Sequence, residues 1–500
     1  MKRVMGVSAM AAGIILCQAA IGGAQAQDAG PNVKPPVASH RHKKVAAERH
    51  HVRHENVILA NDKGAEPAPD PMANSPRRFD KTLRWKGWDI MFPSFGDSLT
   101  QDYGGWRSAL AQYGIGFLVF NTPQIGYNVL NHSQAGAQQY FGQRLGYLSN
   151  TNPYLTVDLS RYGIPDGQFG IGGVLGASTW EQYAPRELSL SGLQYYQTLL
   201  NGKVELLIGY LGPYLNFAGT YVGGSLVNPF GPSAAIPVEA GMTTPSQPAP
   251  AAIITGHLTD RVYDEFGVQR SASPTAAVLT DTIIHNPTSF RFAVPGWEPV
   301  LINEFGYRNE AGPNDPKNWA RFGAMYNFSQ YQDFRSDVGT RTNEAFYFLY
   351  DRQLWQAAPS SPETAYRGIY AGVSAMYAPP EVNAFSQYYE ARVYALGLFP
   401  QRPFDMITVV YNHQVVSHYL ADGLDSYSEE IHTLLGIPYG RHATNTITGS
   451  YTARLMPGLY TTVGLSYTDF PALTYYSPAT PTDSHVGRAL NFVASAFVVF

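Results

Sequence analysis

NFVASAFVVF, residues Asn491–Phe500, decides the fold. Counted back from Phe500 in twos, Val498, Ala496, Ala494 and Phe492 form an unbroken apolar row. Ser495 and Asn491 fall on the opposite face, which Phe497 and Val499 make less polar. A period of two is the signature of a strand with one greasy side. A strand of ~9–11 residues crosses a bilayer when it belongs to a closed barrel. The stretch is therefore read as a spanning strand, and the fold class as an all-β, transmembrane, antiparallel β-barrel.

A terminal phenylalanine after alternating apolar residues resembles the signal by which assembly machinery recognises bacterial outer-membrane barrels. The other end agrees with export. Lys2 and Arg3 precede an apolar stretch through Val7, Met10, Ile14, Ile15 and Leu16, and Ala24-Gln25-Ala26 matches a small-residue cleavage site. Residues 1–26 are read as a signal peptide, with the mature chain starting at Gln27. A lipoprotein signal at Cys17 is the rival reading, but bulky Leu16 stands where such signals carry a small residue. Cys17 is the only cysteine, so cleavage leaves a chain without disulfides.

Charged residues make up only 14% of the chain against 44% hydrophobic ones. Soluble domains carry ~25% charged residues. No segment beyond the leader holds the ~20 apolar residues of a membrane helix, which leaves an alternating barrel as the way to live in lipid. The 34 tyrosines and 25 phenylalanines suit interfacial girdles and lumen lining. A net charge of −4 gives no case for nucleic acid. Residues 27–84 form a separate, low-complexity extension. Within 27–80, nine Lys/Arg, seven Asp/Glu and five of the thirteen histidines (His40, His42, His50, His51, His54) lie among Pro and Ala. Such a tract buries too little to fold alone, so it is expected to be a disordered periplasmic extension. His-rich tracts bind metal in some proteins, but a solvated extension is the preferred reading and neither metal nor cofactor is assigned.

From about Trp85 to Phe500, taken as the barrel domain, short alternating runs are separated by turns. Leu155, Val157 and Leu159 alternate with Thr156, Asp158 and Ser160; after Ile164-Pro165-Asp166-Gly167, Phe169, Ile171, Gly173 and Leu175 alternate with Gln168, Gly170 and Gly172. Asn201-Gly202 is the strongest hairpin signal. Ile369, Ala371, Val373 and Ala375 oppose Tyr370, Gly372 and Ser374. Ile447, Tyr451 and Leu455 oppose Thr446, Thr448, Ser450, Thr452 and Arg454, and Met456-Pro457-Gly458 turns the chain back through Val463, Leu465 and Tyr467. A sandwich shares this alternation. Tight turns set against long loops favour the barrel. The longest loop, Val222 to about Ala252, is rich in Gly, Pro, Ser and Ala, and in a barrel such a loop either lies on the surface or folds inward.

Gln101-Asp102-Tyr103-Gly104-Gly105-Trp106-Arg107, followed by Leu110 and Gly114-Ile115, resembles the opening motif of the carbohydrate-selective porin (OprB-type) family. Four further matches follow in the family's order: Asn201-Gly202-Lys203 to Gly209, Asn228-Pro229-Phe230-Gly231, Leu258 to Tyr263, and Glu304-Phe305-Gly306-Tyr307. Gly397 to Asp405 then looks like the family's Gly-x-x-Pro-x-Arg-Pro-x-Asp turn. Tyr103 and Trp106 depart from the usual Trp and Leu, which bears on sugar preference. The resemblance implies a sixteen-stranded barrel in the outer membrane of a Gram-negative cell, in contact with its lipid. Its water-filled channel would pass small sugars such as glucose by diffusion, and the family's members occur as monomers or homotrimers.

A sugar-preferring channel needs aromatic walls for C–H faces and polar groups that exchange hydrogen bonds with hydroxyls, with binding weak enough for release. Candidates on strand phase are Glu304 with Arg308, and Glu390 with Arg392 and Tyr394. Asp351 and Arg352 are neighbours of which one points inward. Trp106 and Arg107 come from the opening motif, Trp106 as a stacking platform. The competing role for each is a structural charge network. A general porin, a barrel hydrolase and a cell-wall-anchoring barrel are the other functions weighed. Gly372-Val373-Ser374-Ala375-Met376 fails the nucleophile-elbow pattern at its last position, and no H-E-x-x-H occurs, so no catalytic residue is assigned.

Overall fold

The computed structural model describes residues 75–500 apart from 90–91, 131–137, 139, 180–183, 221, 223–234, 273, 275–291, 337–338, 427–439, 441, 470 and 472–487. The signal peptide, Cys17, the histidine tract and the Asn228-Pro229-Phe230-Gly231 match lie outside the described residues.

Sixteen strands form one closed antiparallel barrel in which each strand pairs with its sequence neighbours. They are β1 Ile115–Asn128, β2 Gly146–Asp158, β3 Gln168–Ser178, β4 Ser189–Leu199, β5 Val204–Leu211, β6 Ala249–His257, β7 Val262–Arg270 and β8 Pro299–Asn309. The second half is β9 Asn318–Gln332, β10 Thr340–Gln356, β11 Gly368–Tyr377, β12 Phe385–Leu396, β13 Met406–Val416, β14 Ala443–Met456, β15 Leu459–Thr468 and β16 Ala489–Val499. The first and last strands close the cylinder, with Tyr127 opposite Phe492 and Phe120 opposite Val499. Phe500 extends the seam by donating its amide to the Val119 carbonyl at 2.7 Å. Closure removes the unpaired edge that lipid would not tolerate.

Parity sorts the side chains. On β12 to β15 the outward positions Val393, Val409, Ile447, Tyr451, Leu455, Val463 and Leu465 are all exposed. The inward ones include Thr408, Thr446, Thr448, Thr452, Thr462, Ser466 and Thr468, joined by hydroxyl pairs such as Thr446–Thr468 at 2.9 Å and Thr452–Thr462 at 2.8 Å. A greasy outside and a hydroxyl-lined inside are the arrangement of a membrane barrel, the reverse of a soluble one. Among the described residues no helix is long and apolar enough to cross a membrane.

The start of β1 and the end of β16 lie at the end of the barrel that carries the short β4–β5, β6–β7 and β14–β15 turns. At the Asn201-Gly202 hairpin, Leu200, Asn201 and Gly202 all take positive φ, which suits Asn and Gly. Inward glycines let large side chains lie flat across the wall. Gly306, Gly323 and Gly372 sit where a Cβ would collide with Tyr263, Tyr347 and the Asp351–Arg392 pair, respectively.

Two segments fill part of the interior. The first runs from about Asp80 to Leu99, ahead of β1, and includes the short helix α1 (Asp80–Leu83). Trp85, Phe92 and Phe95 are buried with the inward residues Leu118, Phe120, Tyr154, Tyr460 and Phe497. Residues before 85, assigned to the extension by composition, are thus partly seated on the barrel's inner face. The chain then passes through helix α2 (Trp106–Gln112) at the rim into β1. The second segment is the β5–β6 connection, with helix α3 (Ala235–Glu239). Tyr214, Phe217, Ala218, Ala240 and Met242 are fully buried there, in one apolar cluster with Ile302, Met325, Tyr347 and Tyr388 of the wall. This connection ends at Ala249, earlier than the sequence reading placed it.

Candidate channel constriction

Among the described residues, three sets of charged and polar inner groups bear on the channel. The first is centred on Arg392 of β12. Its guanidinium binds Asp351 of β10 at 2.5 and 2.9 Å, Glu390 at 2.7 Å and the Ser374 hydroxyl at 2.7 Å. Register makes this possible: Asp351, Gly372 and Arg392 form one row across β10, β11 and β12, and the missing side chain at 372 leaves the path clear. Tyr388 donates to Glu390 at 2.5 Å and Tyr394 to Asp351 at 3.2 Å, while Tyr394 stacks on Tyr370 with centroids 4.9 Å apart. The Arg392 and Glu390 side chains are wholly occluded. Every charge here is answered by a neighbour, as burial requires.

The second set surrounds Glu304 of β8, which accepts hydrogen bonds from Tyr263 at 2.7 Å and Tyr347 at 2.8 Å. Trp319 donates its indole N–H to the Tyr263 hydroxyl at 3.1 Å. Arg321 lies over the Trp319 ring at 3.8 Å and donates to the Phe217 and Gly219 carbonyls, fastening the β5–β6 connection to the wall. The far end of that connection is held by Glu239, whose carboxylate accepts the Phe385 amide at 3.0 Å. Burial pushes the Glu239 carboxyl up to about 8, against the lowering effect of backbone amides.

The third set lies where the two inner segments meet. Gln168 donates to the Thr82 and Arg84 carbonyls, at 3.1 and 2.8 Å, and Gln194 to the Lys86 carbonyl at 2.7 Å. Asn216 of the β5–β6 connection donates to the Gly87 carbonyl. Arg308 of β8 pairs with Asp89 at 3.1 Å and with Glu310 at 2.6 Å, and its guanidinium also lies 4.7 Å from the Trp319 ring. The return of the segment is pinned by Asp97, which accepts from Arg454 and the Gly458 amide at 2.8 and 2.9 Å.

Of the residues singled out from sequence, Asp351, Glu390, Arg392 and Tyr394 form one cluster. Glu304 belongs to the neighbouring one, and Arg308 faces the inner segment. Arg352 is exposed on the outward face, because Asp351 takes the inward position of that pair. Arg107 does not line the lumen. It sits in α2 and donates to the Gln101 and Phe117 carbonyls at 2.5 Å and to the Ser98 hydroxyl at 3.2 Å, tying the rim to β1. Its guanidinium stacks on the half-buried Trp106 indole at 4.3 Å. Burial lowers the Arg107 pKa to about 10. Trp88, Asp89, Tyr263, Trp319, Arg321 and Tyr347 were not foreseen. For Tyr263 and Tyr347 the signal was an inward glycine on the neighbouring strand.

The family description "Carbohydrate-selective porin, OprB family" matches residues 169–485, well over half of the chain. The chain belongs to that family. It is a sugar-preferring porin of the outer membrane, and family and fold together make it a channel rather than an enzyme. The high-pH structure of Pseudomonas putida OprB is similar over 81% of this chain and 98% of its own, with 13% identity and a TM-score of 0.66. The low-pH structure of the same porin covers 82% of this chain and 100% of its own, with 13% identity and a TM-score of 0.50. No curated protein sequence matches the chain. At such identity the structures speak for the sixteen-stranded fold, and the family match carries the function.

Proposed function

We propose that this porin passes small neutral sugars by diffusion through an opening narrowed from two sides, by residues 80–99 and by the β5–β6 connection. The observation that carries this reading is the meeting of the two segments at Gly87 and Asn216 inside the barrel. A constriction built of amides, carbonyls, paired charges and indoles exchanges hydrogen bonds with hydroxyls while presenting little net field to a neutral solute. The Asp351–Glu390–Arg392–Tyr394 cluster and Glu304 shape the wall behind the opening, and Arg308 stands at its edge.

In this reading the chain is exported with cleavage after Ala26, residues 27–74 stay in the periplasm, and the strand ending at Phe500 addresses the barrel to the assembly machinery. The exposed outward rows supply the lipid contact. Crosslinking of the reconstituted protein distinguishes one barrel from a homotrimer.

Proteoliposome swelling tests the channel. Glucose and maltose should enter faster than non-carbohydrate solutes of equal size, and gluconate more slowly than glucose. Equal rates for all solutes of one size would make the protein a general porin, and no swelling would end the channel reading.

A further inference from the structure

The two buried clusters are poor candidates for touching a solute, since the Arg392 and Glu390 side chains have no exposed surface and Glu304 is fully buried. The inner segment presents a different surface. Trp88 is half-buried and is, among the described residues, the one tryptophan packed against both the Phe92–Tyr154 cluster and the cluster of the β5–β6 connection. Its ring is held edge-on by Phe92 at 5.6 Å and Tyr154 at 5.9 Å, with Trp85 tilted against it at 5.8 Å. Neighbours on these sides fix the indole in one orientation. Next to it, Asp89 and Arg308 pair at 3.1 Å, with 18% and 26% of their side chains still exposed.

We propose that Trp88, with the Asp89–Arg308 pair, is the sugar-contact subsite of this channel; the proposal rests on the porin reading. A pyranose is an amphipathic disc. Its C–H face stacks on the accessible part of the indole, whose π-face is electron-rich. Its equatorial hydroxyls then reach the rim of the disc, where the Asp89 carboxylate accepts and the Arg308 guanidinium donates. The two carboxylates of Asp89 and Glu310 are balanced by Arg308 and Lys317, so the subsite holds no net charge for an ionic solute. Arg308 is kept in place by Glu310 and by Trp319 beneath it. Both halves of the subsite lie beside Gly87, where the two inner segments join, so a solute passing the constriction meets them.

The test uses the full chain in planar bilayers, with glucose added as the probe and its block of the ion current titrated. Trp88→Ala should weaken glucose block about tenfold while leaving ionic conductance equal or larger. Trp88→Phe should keep most of the block, and Asp89→Asn should weaken it with the indole intact. Heat-dependent gel mobility certifies that each barrel is folded, and Trp88→Phe with Asp89→Asn decides the matter if Trp88→Ala does not assemble. Unchanged glucose block in Trp88→Ala, or in Asp89→Asn when Trp88→Ala is unfolded, overturns the subsite alone. Wild-type current indifferent to glucose, with swelling no faster for glucose than for other solutes of its size, removes the porin reading and the subsite with it.

Discussion

Replacing Arg392 with methionine would leave two carboxylates facing the hole of one guanidinium. Arg392 is the shared partner of Asp351 and Glu390, and four of its contacts are 2.9 Å or shorter. Breaking a buried ion pair by removing one partner costs ~3–5 kcal/mol, because the stranded charge has neither water nor counterion. Here two charges are stranded, and the barrel would take up protons to remove them. The expected loss is therefore at the upper end of that range, about 5 kcal/mol. Denaturant unfolding of the barrel in detergent, followed by tryptophan fluorescence, measures it.

The same reasoning makes a second demand that a simple cavity argument would not. Replacing the whole triad with uncharged groups of similar size is often neutral or stabilising. Asp351→Asn, Glu390→Gln and Arg392→Met together should recover most of the stability that Arg392→Met alone removes. Tyr388 and Tyr394 still find side-chain oxygens in that variant. Arg392→Met within about 1 kcal/mol of wild type would show that the cluster is wet rather than buried. A triple variant as unstable as the single one would show that the loss is packing and not charge.

Three other outcomes follow from the geometry. Gly323→Ala puts a methyl group where the Tyr347 ring lies, so Tyr347 should leave Glu304 at a cost of ~1–3 kcal/mol in the same unfolding assay. Val393→Arg, at a position 53% exposed on the outward face of β12, should cost ~2–4 kcal/mol in a bilayer and much less in a lipid-free surfactant. Glu239 is held with its carboxyl raised from 4.5 to about 8, so docking of the β5–β6 connection is fully supported below 4.5 and loses that support as pH rises through 8. Open-channel current noise should accordingly grow between pH 6 and 9 in wild type and stay flat in Glu239→Gln.

What was legible in the sequence is what short range decides. The face on which Glu304, Glu390, Arg392 and Tyr394 lie follows from a period of two and from apolar neighbours such as Phe305 and Val393, so it could be read within ten residues. The Asp351–Arg352 choice could not, because both are polar and the outcome depends on a partner 41 residues away across two strand registers. Ala249 to Ala252 read as loop because small residues weaken a strand signal, yet Ala249 and Ala251 are buried inward positions of β6, where larger groups would crowd the inner connection. The inner segment was the largest omission. Trp85 to Phe95 has no period to betray it. Its path is set by Gln168, Gln194, Asn216, Arg308 and Arg454, which bind its backbone, Asp89 and the following Asp97 from 82 to 357 residues away. Such a segment carries its meaning in carbonyls, which every residue owns, and so composition alone assigned part of it to the extension. Inward glycines were the legible half of that information. A glycine at an inward position of a strand otherwise rich in large residues marks a neighbour that lies flat, and it could have directed attention from Gly306 and Gly323 to Tyr263 and Tyr347 before any coordinate was known.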